Sequence, residues 1–243
     1  MNARFACVIS CEHGGNRIPA RYAASFQEHL HVLNTHRGYD RGALALARTL
    51  ARALDAPLVA ATVSRLLVDL NRSPAHRQLF SSVTRGQSEA TRRVIIDRYY
   101  VPHRQRVEAE IARLAAEGRR VVHIGVHSFT PRLRGVSRHA DIGLLYDPGS
   151  LFEAALCRAW KETFRRYAPR LRVRRNYPYR GTSDGLTRTL RRRFGLQRYA
   201  GIELELNQAR VLSDPKAYAV LCKEIADCIR RGFDKLARGK LLQ

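Results

Sequence analysis

Short apolar runs alternate along the chain with longer stretches whose apolar residues return every three to four positions, which predicts strands alternating with helices around a largely parallel or mixed sheet. Residues 5–10 read as a first strand, followed by a glycine-containing turn over 11–19. Ala43, Leu44, Ala47, Leu50, Ala51 and Leu54 fall at helical spacing and predict a helix over 39–55, which Pro57 stops before a second strand over 58–62. A further apolar stretch, 65–70, ends in the polar tetrad Asn71-Arg72-Ser73-Pro74, and the polar segment 79–88, punctuated by Gly86, predicts a loop. A long helix is expected over 91–117, interrupted or kinked at Pro102 and closed by Gly118. The run 121–126 predicts a fully buried strand that delivers His127 and Ser128 at its C-terminal end. Beyond it the pattern predicts a strand over 142–146, a helix over 151–167, a strand over 171–174, a loop over 176–185, a strand over 201–206 and a terminal helix over 214–236.

The 243 residues are within what one hydrophobic core supports, and the charged residues, 27% of the total, are spread along the chain. We therefore expect a single α/β domain over 1–243, with helices on both faces of its sheet and no repeat, linker or low-complexity tract. No apolar run approaches the roughly 20 residues that a bilayer-crossing helix needs. Met1 to Arg4 lead into the first strand without the features of a secretory signal, so a cytoplasmic protein is expected and no membrane partner. The five cysteines, Cys7, Cys11, Cys157, Cys222 and Cys228, form no C-x-x-C pair and read as reduced, buried thiols.

The formal net charge of +23 raises nucleic acid as a partner. Against it, the arginines fall on nearly every predicted helix rather than in a block, and no stacking aromatics accompany them. A positive field also draws in a small anionic substrate, which is the partner expected here. A basic nucleic-acid-binding protein that keeps the scaffold without catalysis is the alternative from another class.

The residues that can carry chemistry gather where predicted strands end, the usual place for ligands in open α/β sheets. His13 precedes Gly14 and Gly15, which let backbone approach a ligand or metal closely, although a histidine in a glycine turn can equally be a plain loop residue. His127 ends a buried strand, where a polar side chain needs a reason. His123, four residues earlier on the same face, reads as a core histidine, and His103, on a helix, as structural. Glu203 and Glu205 share one face of an apolar strand, so they are either site acids or the solvent side of an edge strand. Asp40 near a helix start has a structural explanation in the helix dipole. A zinc hydrolase needs three ligands from His, Asp or Glu, a carboxylate to take the proton of water, and a cation to hold substrate. His13, His127, a third oxygen ligand, Glu205 and Arg72 make up such a set.

Taken in order, several segments resemble the N-formylglutamate amidohydrolase family. Cys11-Glu12-His13-Gly14-Gly15-Asn16-Arg17-Ile18-Pro19 resembles its H-x-G/S-x-x-I/V-P opening, Tyr39-Asp40-Arg41-Gly42-Ala43 its early acidic segment, and Ser64-Arg65-Leu66-Leu67-Val68-Asp69-Leu70-Asn71-Arg72 its S-R-x-x-x-D-x-N-R signature. Tyr100-Val101-Pro102-His103, His127-Ser128-Phe129-Thr130-Pro131, Asn176-Tyr177-Pro178-Tyr179 and Glu203-Leu204-Glu205-Leu206-Asn207 follow in the family's order, so the likeness spans about residues 5–210. That family is similar in turn to zinc carboxypeptidases and related deacylases, whose fold is a mixed eight-stranded sheet between helices.

The resemblance implies a zinc-dependent amidohydrolase acting on an N-formyl or other N-acyl amino acid such as N-formylglutamate, with a deacylase or peptidase of the same fold acting on another N-acyl substrate as the alternative enzyme. It implies zinc ligation by His13 and His127, carboxylate binding by Asn71 and Arg72, and Glu205 as general base. Carboxypeptidases carry an acidic ligand three residues after the first histidine, and this chain has Asn16 there. The third ligand is then Asp40 or Asn16. Asp40 is favoured because an amide oxygen binds zinc poorly beside a carboxylate, which leaves Asn16 to contact substrate. Tyr179 and Arg180, on the loop over 176–185, are expected to close over the substrate.

Overall fold

The computed structural model of the chain describes residues 5–211 and 214–238. Residues 1–4, read above as the lead-in to the first strand, lie outside the described residues. The strands are β1 Phe5–Cys11, β2 Leu58–Ala60, β3 Arg120–Phe129, β4 Arg132–Leu133, β5 Val136–Ser137, β6 Ile142–Leu145, β7 Val173–Arg175 and β8 Tyr199–Asn207. The helices are α1 Leu30–Leu33, α2 Ala43–Leu54, α3 Ser82–Arg85, α4 Glu89–Ile95, α5 Val101–Ala116, α6 Leu151–Tyr167, α7 Leu186–Arg198 and α8 Pro215–Arg238. Six strands form one sheet in the order β2-β1-β3-β8-β6-β7. All neighbours in it run parallel except β8 and β6, so the sheet is mixed and mostly parallel.

Among the described residues the main sheet has six strands, not eight. β4 and β5 pair only with each other, as a small hairpin turning through Arg134 and Gly135 at positive φ.

Alternation along the strands assigns the two faces. Val122, Ile124 and Val126 of β3, with Ile202 and Leu204 of β8, face α2, α6 and α8 in the largest core cluster, where Trp160 and Phe164 are fully buried. Burying each such side chain contributes about 1.5–3 kcal/mol. Ala6, Val8 and Val121 face the other way, against Val107 and Ile111 of α5 and Leu190 of α7. A third cluster, including Phe26, Leu67 and Ile95, packs the loops beyond the C-terminal ends of β1 and β2. The apolar stretch 65–70 belongs to it as buried turns rather than as a strand.

Three helical expectations are revised. The helix expected from 39 begins at Ala43, after Gly42 at φ 83°, so residues 39–42 form a turn and Asp40 is not on a helix. The long helix is α4, a π-helical turn over Ile96–Tyr100, and α5 with Pro102 in its first turn. Proline supplies no N–H and crowds the preceding turn, which the wider π turn accommodates. Helix α7 and the 3-10 run Ala20–His29 have no counterpart in the apolar pattern, and α3 lies inside the loop expected over 79–88.

Candidate active site

The odd-numbered positions of β3 and β8 put a polar row on the α5/α7 side of the sheet. The parallel register sets Glu205 beside His127 and Glu203 beside Gly125. His13 stands two residues beyond β1 in a turn that lies on the backbone after β2. A Cβ at Gly14 would come within 2.9 Å of Ala61 O, and one at Gly15 within 2.7 Å of Thr62 O. The two glycines therefore let the turn pack closely against its neighbour. Asp40 joins through its backbone, its N–H donating to His13 O at 2.9 Å.

These residues bring three donors to one point. Asp40 Oδ2 lies 3.0 Å from His127 Nδ1 and 3.4 Å from His13 Nδ1, and the three ligand atoms all fall within 4.8 Å of one another. Each ring has its other nitrogen near a buried carboxylate: His13 Nε2 is 2.8 Å from Asp69 Oδ1, and His127 Nε2 is 3.2 Å from Glu12 Oε2. Arg65 spans the group, with Nη1 donating to Asp40 Oδ1 at 3.3 Å and Nη2 to Asp69 Oδ2 at 2.8 Å. If both rings give their Nε2 protons outward, two Nδ1 lone pairs and a carboxylate oxygen face one another with no proton between them. A divalent cation satisfies that arrangement, and two histidines with one carboxylate leave a position open, so the residues fit zinc.

The electrostatics agree with a cation-binding nest. Burial works against protonation of His127, but the hydrogen bonds and charges of Asp40 and Glu12 outweigh it and hold its pKa well above the usual range. For His13, burial and Arg65 act downward while Asp69 and Asp40 win and raise it. Burial opposes ionisation of Asp40, Asp69 and Glu12, yet their cationic neighbours keep all three below the usual carboxylate range. Glu205 differs. Burial pushes its carboxyl up to about 8, and its Oε2 has no hydrogen-bond partner among the described residues.

A cleft of about 240 Å³ opens over these groups, lined by His13, Asp40, His127, Glu203 and Glu205 on its floor and by Asn71, Arg72, Tyr179, Arg180 and Asp184 on its walls. Asn71 Oδ1 accepts from Leu186 N at 2.7 Å, so its amide nitrogen is fixed as a donor. Arg72 is held by Nη1 on Asp184 O at 3.1 Å, and its own carbonyl accepts from Tyr100 Oη at 2.8 Å and Arg104 Nη1 at 3.2 Å. The π turn and α5 thus support the wall.

Loop 176–185 is pinned by Asn176, whose Oδ1 accepts from Tyr146 N and Gly181 N, and by buried Arg191, which donates to Gly181 O at 2.7 Å. Tyr179 and Arg180 are exposed on this loop.

The structure brings His13, Asp40, Asn71, Arg72, His127, Tyr179, Arg180 and Glu205 to one cleft. Asn16 is not brought there. Its Nδ2 donates to Asn34 Oδ1 at 2.8 Å, and it is absent from the walls. His123 is a core histidine, held by Ser10 Oγ and Tyr199 Oη at 2.7 Å each. His103 is buried against Glu12. Sequence reasoning gave no role to Glu12, Arg65 or Asp69. The available signal was the place of Arg65 and Asp69 in the S-R-x-x-x-D-x-N-R signature, and for Glu12 a carboxylate next to His13 directly after a buried strand.

Comparison with known proteins gives a family and a fold. The family model of N-formylglutamate amidohydrolase matches residues 5–212. The crystal structure of a gene product from Agrobacterium tumefaciens is similar with a TM-score of 0.82 at 30% identity, over 96% of this chain and 92% of that one. The N-formylglutamate amidohydrolase from Ralstonia eutropha is similar with a TM-score of 0.72 at 20% identity, over 96% of this chain and 94% of that one, a likeness of fold. No curated protein matches the chain in sequence.

Proposed function

The chain belongs to the N-formylglutamate amidohydrolase family and is an amidohydrolase, and from that premise we propose that it hydrolyses N-formyl-L-glutamate to formate and glutamate with zinc held by His13, Asp40 and His127. The observation that carries the reading is the convergence of those three donors beneath a cleft into which an unpartnered carboxylate oxygen of Glu205 is also built.

The chemistry supplied by zinc bound there is Lewis acidity toward the formyl carbonyl and toward water. Glu205, whose carboxyl burial pushes up but a cation in the nest would keep ionised, takes a proton from the attacking water and hands it to the leaving nitrogen, as a C–O bond forms and the C–N bond breaks. Arg72 presents its planar fork to a substrate carboxylate, and the Asn71 amide nitrogen donates beside it. Arg180 and Tyr179 meet the second carboxylate from the rim. Among the described residues no helix is long and apolar enough to cross a membrane, in keeping with a small-molecule substrate met in solution.

Metal analysis of the purified chain, with hydrolysis assays over N-formyl, N-acetyl and N-succinyl amino acids, tests the proposal. We expect about one zinc per chain, its loss in His127→Ala, and fastest turnover of N-formylglutamate. Equal zinc in wild type and His127→Ala, or preference for another acyl group, would overturn the corresponding part.

A further inference from the structure

We propose that Glu12 and His103 are positioning residues for His127: the buried row His103, Glu12, His127 selects which nitrogen of His127 faces the metal nest, and through it the affinity for metal. The inference rests on the zinc reading above.

Glu12 follows β1 on the side that faces α5, and it is 1% exposed. A carboxylate so buried is costly unless its oxygens are partnered. Each oxygen takes one histidine: Oε2 lies 3.2 Å from His127 Nε2, and Oε1 accepts from His103 Nε2 at 3.3 Å. The neighbours of His127 Nε2 compete. Asn71 Nδ2, 3.5 Å away, can only donate, and would favour the tautomer with a bare Nε2 and a proton on Nδ1. With a cation taking Nδ1, the ring keeps a single proton, and the Glu12 carboxylate, which can only accept, holds that proton on Nε2 with the Nδ1 lone pair turned to the nest. Glu12 is nearer and charged, so its choice prevails, and His103 holds it in place from the first turn of α5.

His13 has its own outer carboxylate in Asp69, but that acid is fixed by Arg65, which also grips the ligand Asp40. His103 has no such second duty, so altering it leaves the nest's own donors intact. His123 supplies a control, since it is equally buried on the same face of β3 and bonds Ser10 and Tyr199 instead.

The test is the zinc dissociation constant of the full chain at one fixed neutral pH, read by competition with a chromophoric chelator. Loss of an outer partner of a metal-binding histidine weakens affinity by about 10–100-fold, and that is the result expected for Glu12→Gln. His103→Phe should weaken binding less, about several-fold, and His103→Gln, which restores an N–H donor, should recover most of it. His123→Phe should lower thermal stability and leave zinc affinity unchanged. If folded Glu12→Gln and His103→Phe bind zinc within twofold of wild type, or if His103→Gln is as weak as His103→Phe, the inference fails while the zinc reading stands. Should Glu12→Gln not fold, the His103 pair decides by itself. A wild type that binds no zinc overturns both.

Discussion

Two histidines four residues apart on β3 face the same side of the sheet and meet opposite fates. His127, at the mouth, lies between Asp40 and Glu12, and their charges overcome burial to raise its pKa well above the usual range. His123, in the interior, lies between the hydroxyls of Ser10 and Tyr199, and burial lowers it to about 4. Residue type, strand and face are shared, so the difference comes wholly from neighbours delivered by β1, β8 and the turn at 39–42. The mouth gathers charge and the interior excludes it. Changes at the mouth should therefore act on activity and metal affinity, and changes in the interior on folding.

The largest effect is expected at Glu205. Glu205→Gln keeps shape and should keep zinc, but removes the group proposed to move the proton, and should lower turnover by roughly two to four orders of magnitude. Glu203→Gln should be far milder, because Glu203 Oε1 is already engaged by Thr187 Oγ1 at 3.2 Å. Single-turnover rates of both zinc-loaded variants check this. Near-normal turnover in Glu205→Gln would assign activation of the water to another group.

Next comes the third ligand. Asp40→Asn should weaken zinc binding by more than about 100-fold, beyond the loss of an outer partner, because a neutral amide replaces the only charged donor among the three. Asn16→Ala, on a residue tied to Asn34, should leave affinity unchanged. Chelator competition on the two variants reads the difference, and zinc lost from Asn16→Ala alone would break the assignment.

How far the chain's order predicted this depends on whether a residue's neighbours are close in sequence. Continuous apolar runs disclosed β1, β3, β6 and β8, since a strand buried on both faces needs no partner to be recognised. Helix α7 was hidden because its inward side carries Arg191 beside Leu186, Thr187 and Leu190, and a buried arginine breaks the apolar stripe that periodicity detects. Arg191 is tolerated there because it donates to Glu153 Oε1 at 2.8 Å and to Gly181 O at 2.7 Å, groups supplied by α6 and the loop over the cleft. In the site, His13, His127 and Glu205 stood out by type and context. Glu12 and Asp69 did not, because their meaning lies in partners 91 and 56 residues away. Asn16 misled in the opposite way, since it was expected to contact substrate and the turn directs it toward Asn34 instead.

A smaller effect is expected on the wall. Arg72→Lys keeps the charge and loses the fork, so we expect kcat/KM for N-formylglutamate to fall about 10–100-fold, the worth of a charged hydrogen bond, with zinc content unchanged. Steady-state kinetics on free-acid and amide-blocked substrates check it. Equal turnover of both substrates by the wild type would remove the carboxylate from the recognition scheme.

The smallest effect belongs to the interior. His123 has a folded pKa of about 4 against 6.5 for the free side chain, with burial as the main cause, the charge of Glu12 acting upward, and those of Arg191, His103 and His127 downward. The unfolded chain therefore takes up the proton first as pH falls. Its contribution to stability is complete above about pH 6.5 and is lost as the pH drops toward and through about 4, by no more than about 1.4 kcal/mol, or tenfold in the folding equilibrium, per pH unit. His13 and His127, whose pKa values are raised, act with the opposite sign, so only a difference between variants isolates His123. His123→Gln keeps a neutral polar group between Ser10 and Tyr199 and cannot take up the proton. Urea denaturation of metal-free protein from pH 7 to pH 4.5 should show wild type losing stability more steeply than His123→Gln, with equal zinc affinity at pH 7. Parallel stability curves would mean that the interior of β3 accepts charge as readily as its mouth, and the contrast between the two histidines would then have to be sought in metal binding alone.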